Sequence, residues 1–171
     1  LRTEAFVCDD PPGGWTSKGV VADRFWPCDE PARMTDGRWI MAGMDIRAEG
    51  KWACPAVAVS HGADLTRWDT IALPVPGELE SIWGESTVIV EDDEITALVR
   101  PGWQHDNALV STSTDCGRTW TEVRWTTLPT PSTKIYAGRL STGQRYAVGT
   151  LVQDHGRKRH PLTIAVSKPG E

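Results

Sequence analysis

Three stretches of this chain, "PAVAVS", "NALVSTS" and "PLTIAVS", end in a serine, at Ser60, Ser113 and Ser167, in steps of 53 and 54 residues. Ahead of each stands a run of common design: "MTDGRWIMAG", "VEDDEITALVR" and "LSTGQRYAVGT", a polar turn leading into a β-prone segment. A repeat of about 50 residues built from several short strands has the size of a propeller blade. No segment of helical length keeps apolar residues at i, i+3, i+4 and i+7. β-prone runs recur instead, at 39–44, 55–60, 86–90, 95–100, 107–111, 145–150 and 161–167. Turn punctuators stand between them: "TDG" at 35–37, "EDDE" at 91–94 and "STG" at 141–143. The pattern predicts an all-β fold made of hairpins.

Bulk properties exclude several function classes. At 171 residues the chain has the length of one ordinary domain. Its formal charge is −5, and Lys and Arg are dispersed, which argues against a nucleic-acid footprint. No apolar run approaches a membrane span, and "LRTEAFVCDD" lacks the apolar centre of a signal peptide. The chain opens on Leu1 rather than Met, so a leader lying outside it is allowed for. Cys8, Cys28, Cys54 and Cys116 form no CxxC pair, and neither HExxH nor His-x-His occurs, so neither a metal nor another cofactor is expected. Disulfide pairing is not fixed by this spacing. Nine tryptophans against two tyrosines and two phenylalanines suit either one Trp per repeat unit or a carbohydrate surface.

The segment "STSTDCGRTW" (111–120) gives a sharper signal. Asp115 can accept hydrogen bonds from amides of its own turn, Gly117 supplies a backbone with positive φ, and Trp120 tucks beneath. The pattern Ser113-x-Asp115-x-Gly117-x-Thr119-Trp120 resembles the Asp-box of the sialidase superfamily. "SHGADLTRW" (60–68) looks like a degenerate copy that keeps Asp64, Thr66 and Trp68 without the glycine. "FWPCDEPARMTDGRWIMAG", "WGESTVIVEDDEITALVR" and "LPTPSTKIYAGRLSTGQRY" are similar to bacterial BNR/Asp-box sialidase-like proteins. The resemblance implies a six-bladed β-propeller of which about three blades are present. By the repeat, 1–21 is the end of one blade, 22–76 a second, 77–130 a third and 131–171 part of a fourth. A partial propeller leaves open sheet edges, which favours self-association.

The resemblance also implies chemistry. Sialidases act on a carboxylate-bearing sugar, gripped by an arginine cluster through bidentate, charge-assisted hydrogen bonds. A tyrosine attacks, a glutamate takes its proton, and an aspartate serves as general acid and base. Carried onto this chain, Glu85 is the glutamate that pairs with the nucleophile and Arg100 a member of the cluster. Arg159 is the next cluster candidate, with Arg157 as its register alternative. "DEPAR" offers Glu30 and Arg33 at the matching position of the preceding blade, either shaping the sugar site or pairing with each other. The cluster's first arginine, normally followed by Ile-Pro, has no counterpart. The nucleophile and the general acid are expected outside this chain, although Tyr136 stands near a hairpin entrance. Trp26, Trp83 and Trp103 are candidates for stacking on sugar rings, whereas Trp39, Trp68 and Trp120 read as core.

Three functions compete on these grounds. The first is a sialidase-like glycoside hydrolase acting on an acidic sugar outside the cytoplasm, in the periplasm or extracellular space. Within it the present chain alone is expected to be inactive, because half the constellation is missing. The others are a propeller that binds glycans or proteins without cleaving them, and a lyase acting on uronate polysaccharides.

Overall fold

The computed structural model describes residues 1–10, 13–46, 54–63, 65–79, 82–103, 105–152 and 159–170. Among them, regular structure consists of fourteen strands and one 3-10 turn at Gly77–Leu79. The strands form four antiparallel sheets in chain order. β1 (Arg2–Val7) and β2 (Thr16–Asp23) make the first. The second holds β3 (Phe25–Pro27), β4 (Ala32–Arg33), β5 (Trp39–Asp45), β6 (Cys54–Ser60) and β7 (Trp68–Ala72). β8 (Ser86–Glu91), β9 (Glu94–Val99), β10 (Asn107–Ser113) and β11 (Arg124–Pro129) follow each other across the third. β12 (Tyr136–Arg139), β13 (Arg145–Gly149) and β14 (Thr163–Val166) form the fourth.

The sheets stack face to face, because each interior sheet is apolar on both faces. Along β5 and β6, Ile40, Ala42, Val57 and Val59 meet Val88, Ile95, Ala97 and Leu109 of the third sheet. The alternate residues Met41, Ala56 and Ala58 point the other way and meet Val21, Ala22 and Phe25. The third sheet repeats the device, sending Ile89 and Ala108 towards Ile135, Ala137 and Ala147. Period-two alternation therefore fills two seams from one strand. Sheets stacked in sequence with their first strands side by side are the propeller arrangement, and the fold is all-β.

Tight turns join β4 to β5, β8 to β9 and β12 to β13, all at one end of the stack. Gly37 (φ 84°), Asp92 (φ 50°) and Gly143 (φ 86°) take the left-handed backbone that such turns need. These are the "TDG", "EDDE" and "STG" punctuators. Two of the three repeated serines keep equivalent bonds: Ser60 Oγ accepts from the Trp39 amide at 2.8 Å and Ser167 Oγ from the Arg145 amide at 3.1 Å, whereas Ser113 Oγ accepts from the Gly117 amide of its own turn at 3.0 Å.

The turn between β10 and β11 lies at this same end. Asp115 Oδ1 accepts from the Ser113 hydroxyl (2.8 Å) and from the amides of Arg118 (3.0 Å) and Thr119 (2.9 Å). Its Oδ2 accepts from the Thr119 hydroxyl at 2.6 Å. Trp120 Nε1 donates to the Gly117 carbonyl at 3.0 Å, just as Trp68 Nε1 donates to Leu65 at 2.9 Å. Leu65 thus occupies the glycine's place in the degenerate copy, whose Asp64 lies outside the described residues.

Donors from Thr119, first its hydroxyl and then its amide, hold the Asp115 carboxyl at about 2, below its ordinary 3.8. A folded-state value below the unfolded one adds stability above about pH 4, which is lost as the pH falls towards 2. The melting temperature of the wild type should therefore drop across that window. Asp115→Asn should melt lower at neutral pH and follow a flatter curve between pH 4 and 2, as read by thermal circular dichroism. Parallel curves would show that the carboxylate adds nothing.

Candidate functional site

The opposite end of the stack is where β8 begins and β9 finishes. Ser86 pairs with Val99, so the next residues out, Glu85 and Arg100, face each other. The Arg100 amide donates to the Glu85 carbonyl at 2.8 Å, extending the ladder by one rung. Their side chains meet too: Arg100 Nη1 donates to the Glu85 carboxylate in a close ion pair. Gly84 (φ 77°) turns the chain between Trp83 and Glu85, bringing the indole over the guanidinium at 4.9 Å from ring centroid to Cζ. Trp103 stands edge-on to Trp83, with centroids 5.2 Å apart at 77°.

Arg100 is only 8% exposed, although an arginine ending a strand before Pro-Gly commonly points into water. Its burial follows from a partner that sequence reasoning missed. Arg100 Nε donates at 2.9 Å to the carbonyl of Ser132, in the link from the third sheet to the fourth. Ser132 has φ 47° and donates its hydroxyl to the Pro101 carbonyl at 3.2 Å. The ion pair is thus clamped between two sheets.

A groove of about 240 Å³ runs along the neighbouring inner strands, lined by Glu30, Arg33, Tyr136, Arg139 and Tyr146. It owes its shape to a bulge: residues 28–31 stand opposite only Met41 and Ala42, between the pairings of β3 and β4 with β5. The bulge aims Asp29 and Glu30 at the next sheets. Asp29 Oδ2 accepts from the Thr87 hydroxyl (2.6 Å) and the Val88 amide (3.0 Å). Thr87 Oγ1 in turn accepts from the Ala137 amide at 3.1 Å, lacing three sheets together. Burial pushes the Asp29 carboxyl above its usual range, against the hydrogen bonds, which pull it down.

Glu30 and Arg33 both line the groove but form no ion pair with each other. Glu30 accepts instead from the Tyr136 hydroxyl at 2.7 Å. That bond, ahead of burial, raises the phenol well above its ordinary value, so the proton stays on oxygen. Arg159 is exposed, in the segment that leads into β14, and makes no described contact with Glu85. Arg157 lies outside the described residues. The Asp-box turn of Ser113, Asp115, Gly117, Thr119 and Trp120 is at the far end of the sheet. Trp26 and Trp103 are 53% and 49% exposed, whereas Trp83 is half-buried by its contacts. Trp68 is buried, and Trp39 and Trp120 pack against the core clusters.

A family profile described as BNR repeat-like domain matches residues 10–171. No curated protein matches the chain. Among solved structures, a mutant NanB sialidase from Streptococcus pneumoniae superposes with TM-score 0.69 at 14% identity, covering 95% of this chain and 25% of that one. A Dyadobacter fermentans protein of unknown function gives 0.67 at 13% identity, with 97% and 52% covered. A Penicillium chrysogenum alpha-L-arabinanase complexed with arabinobiose gives 0.63 at 15%, with 96% and 54% covered. The chain therefore spans a quarter of the sialidase's length and about half of the other two. At such identities the likeness is one of fold.

Proposed function

Because the chain belongs to the BNR repeat-like domain family, we propose that it supplies part of a sialidase-like glycoside hydrolase site for a carboxylate-bearing sugar. The observation that carries this reading is the clamped Glu85–Arg100 pair under Trp83, at the inner end of the third sheet. A guanidinium has five N–H donors. One on Nη1 goes to Glu85 and the one on Nε to Ser132. Those left on the terminal nitrogens are what an incoming sugar carboxylate takes, and the rigid clamp spares the cost of ordering the side chain on binding. Glu85, already a hydrogen-bond acceptor, is the group that draws the proton from the nucleophile. Arg159, exposed in the segment that leads into β14, is the candidate for a second cation on the sugar.

A non-catalytic glycan-binding propeller is the second reading. What favours it is that Glu85 is engaged by Arg100, and that Tyr136 keeps its proton in a bond to Glu30 rather than to Glu85.

Calorimetric titration with N-acetylneuraminic acid tests the site. Removing a charge-assisted grip with Arg100→Ala should weaken binding by about 10- to 100-fold, while Glu85→Gln changes affinity little. Equal binding of a neutral hexose, unaffected by Arg100→Ala, would overturn the acidic-sugar reading. Hydrolysis and mere binding separate in a longer protein that contains this chain. Release from a fluorogenic sialoside that Glu85→Gln abolishes marks the hydrolase, and binding without release marks the module.

A further inference from the structure

Beyond Arg100 the rim of the third sheet carries a second aromatic pair. Trp103 stands in the loop between β9 and β10, half of its surface open to water and its edge set against Trp83. Two residues further on, His105 lies over Trp125 of β11, with ring centroids 4.4 Å apart at 44°. Trp125 is itself 37% exposed. The sheet order β8-β9-β10-β11 makes these positions a path leading outward from Arg100. Neighbouring strands lie about 4.8 Å apart, so the two steps from β9 to β11 span about 10 Å, longer than a single hexose.

Single exposed apolar side chains need no explanation, but here two exposed indoles are held in place by aromatic neighbours and continue directly from the Arg100 clamp. The loop that carries Trp103 and His105 is anchored at both ends. The His105 amide donates to the Gly102 carbonyl at 3.3 Å, and the Thr130 amide to the Asp106 carbonyl at 2.6 Å. Where the same loop enters β10, the side-chain oxygen of Asn107 is buried and has no hydrogen-bond donor among the described residues. An acceptor left in that condition calls for water or a ligand to complete its surroundings.

We infer that this rim is a binding track for the inner residues of an oligosaccharide whose terminal acidic sugar occupies the Arg100 end. The C–H faces of pyranose rings stack on fixed indoles, and the imidazole of His105 exchanges hydrogen bonds with hydroxyl groups. The indole faces suit neutral sugar rings and leave recognition of the carboxylate to Arg100. The preferred ligand is therefore an acidic oligosaccharide, not an isolated acidic monosaccharide. The inference rests on the acidic-sugar reading of Arg100.

Titrations with N-acetylneuraminic acid, lactose and sialyllactose, followed by calorimetry and tryptophan fluorescence, test it. Sialyllactose should bind at least about 10-fold more tightly than the monosaccharide, the worth of one good stacking contact. Trp125→Ala and the exposed-loop variant His105→Ala should each shrink that advantage while monosaccharide affinity holds, and Trp103→Ala should shrink it as well. Trp103→Phe, which keeps a stacking face, should retain most of it. Equal affinity for the monosaccharide and sialyllactose would overturn the track and leave the acidic-sugar reading intact. Lactose binding that Trp125→Ala removes, with no response to the acidic monosaccharide, would keep the track and overturn that reading. Silence towards all three sugars overturns both.

Discussion

Gly43→Ala is expected to lower the free energy of unfolding by about 3 kcal/mol, measured by urea denaturation. Gly43 sits in β5 directly opposite Pro27 of β3. A methyl group there would intrude on the Trp26 carbonyl oxygen and come within 2.6 and 2.9 Å of two Phe25 ring carbons. Neither neighbour can yield cheaply. The carbonyl is part of a strand backbone, and Phe25 is fully buried in the seam between the first two sheets. The cost is steric, so moving β3 outward is the only relief, and that loosens the bulge holding Asp29 and Glu30. Gly62→Ala is the control, since an added methyl there meets nothing. If both variants unfold at the same urea concentration as the wild type, β3 does not cross β5 as closely as described.

Asp29→Ala should cost about 2–3 kcal/mol, because it takes the side-chain acceptor from the Val88 amide and leaves the Thr87 hydroxyl only a longer one. The Val88 amide and the Thr87 hydroxyl both spend their protons on the Asp29 carboxylate, and Thr87 is fully buried. Thr87 retains a longer approach to the Ala137 carbonyl at 3.3 Å, which limits the loss. Asp29→Asn keeps one acceptor oxygen and should lose less than half as much. Equal losses for the two variants would mean that shape, not hydrogen bonding, is what the bulge requires.

The sequence carried the interior of the fold better than its margins, for a physical reason. β5, β6, β8, β9 and β10 are covered on both faces, so each reads as a continuous apolar run bounded by turn residues. β2 ("TSKGVVAD"), β11 ("RWTTLP") and β12 ("YAGR") are half polar or very short, and no periodicity betrays them. Pairing with a neighbour, not propensity, makes them strands. The Asp115 turn was legible because all of its donors lie within four residues. Glu85 and Arg100 stood out through resemblance alone, and the ladder register explains why they meet. Three further contacts gave no local signal: Asp29 to Thr87 across 58 positions, Glu30 to Tyr136 across 106, and Arg100 to Ser132 across 32. Such partners are chosen by how sheets stack, which spacing along one strand does not encode.

Residue parity on β6 has a consequence for mutational coupling. Ala56 and Ala58 answer to the first sheet, Val57 and Val59 to the third. Ala58 and Val59 are bonded neighbours, yet lesions at the two positions damage different cores and combine as nearly independent losses. Val59 and Ile95, remote in the chain, share one core and interact non-additively when changed together. Distance along the polypeptide is here a poor guide to which substitutions compensate one another, and odd or even position a good one.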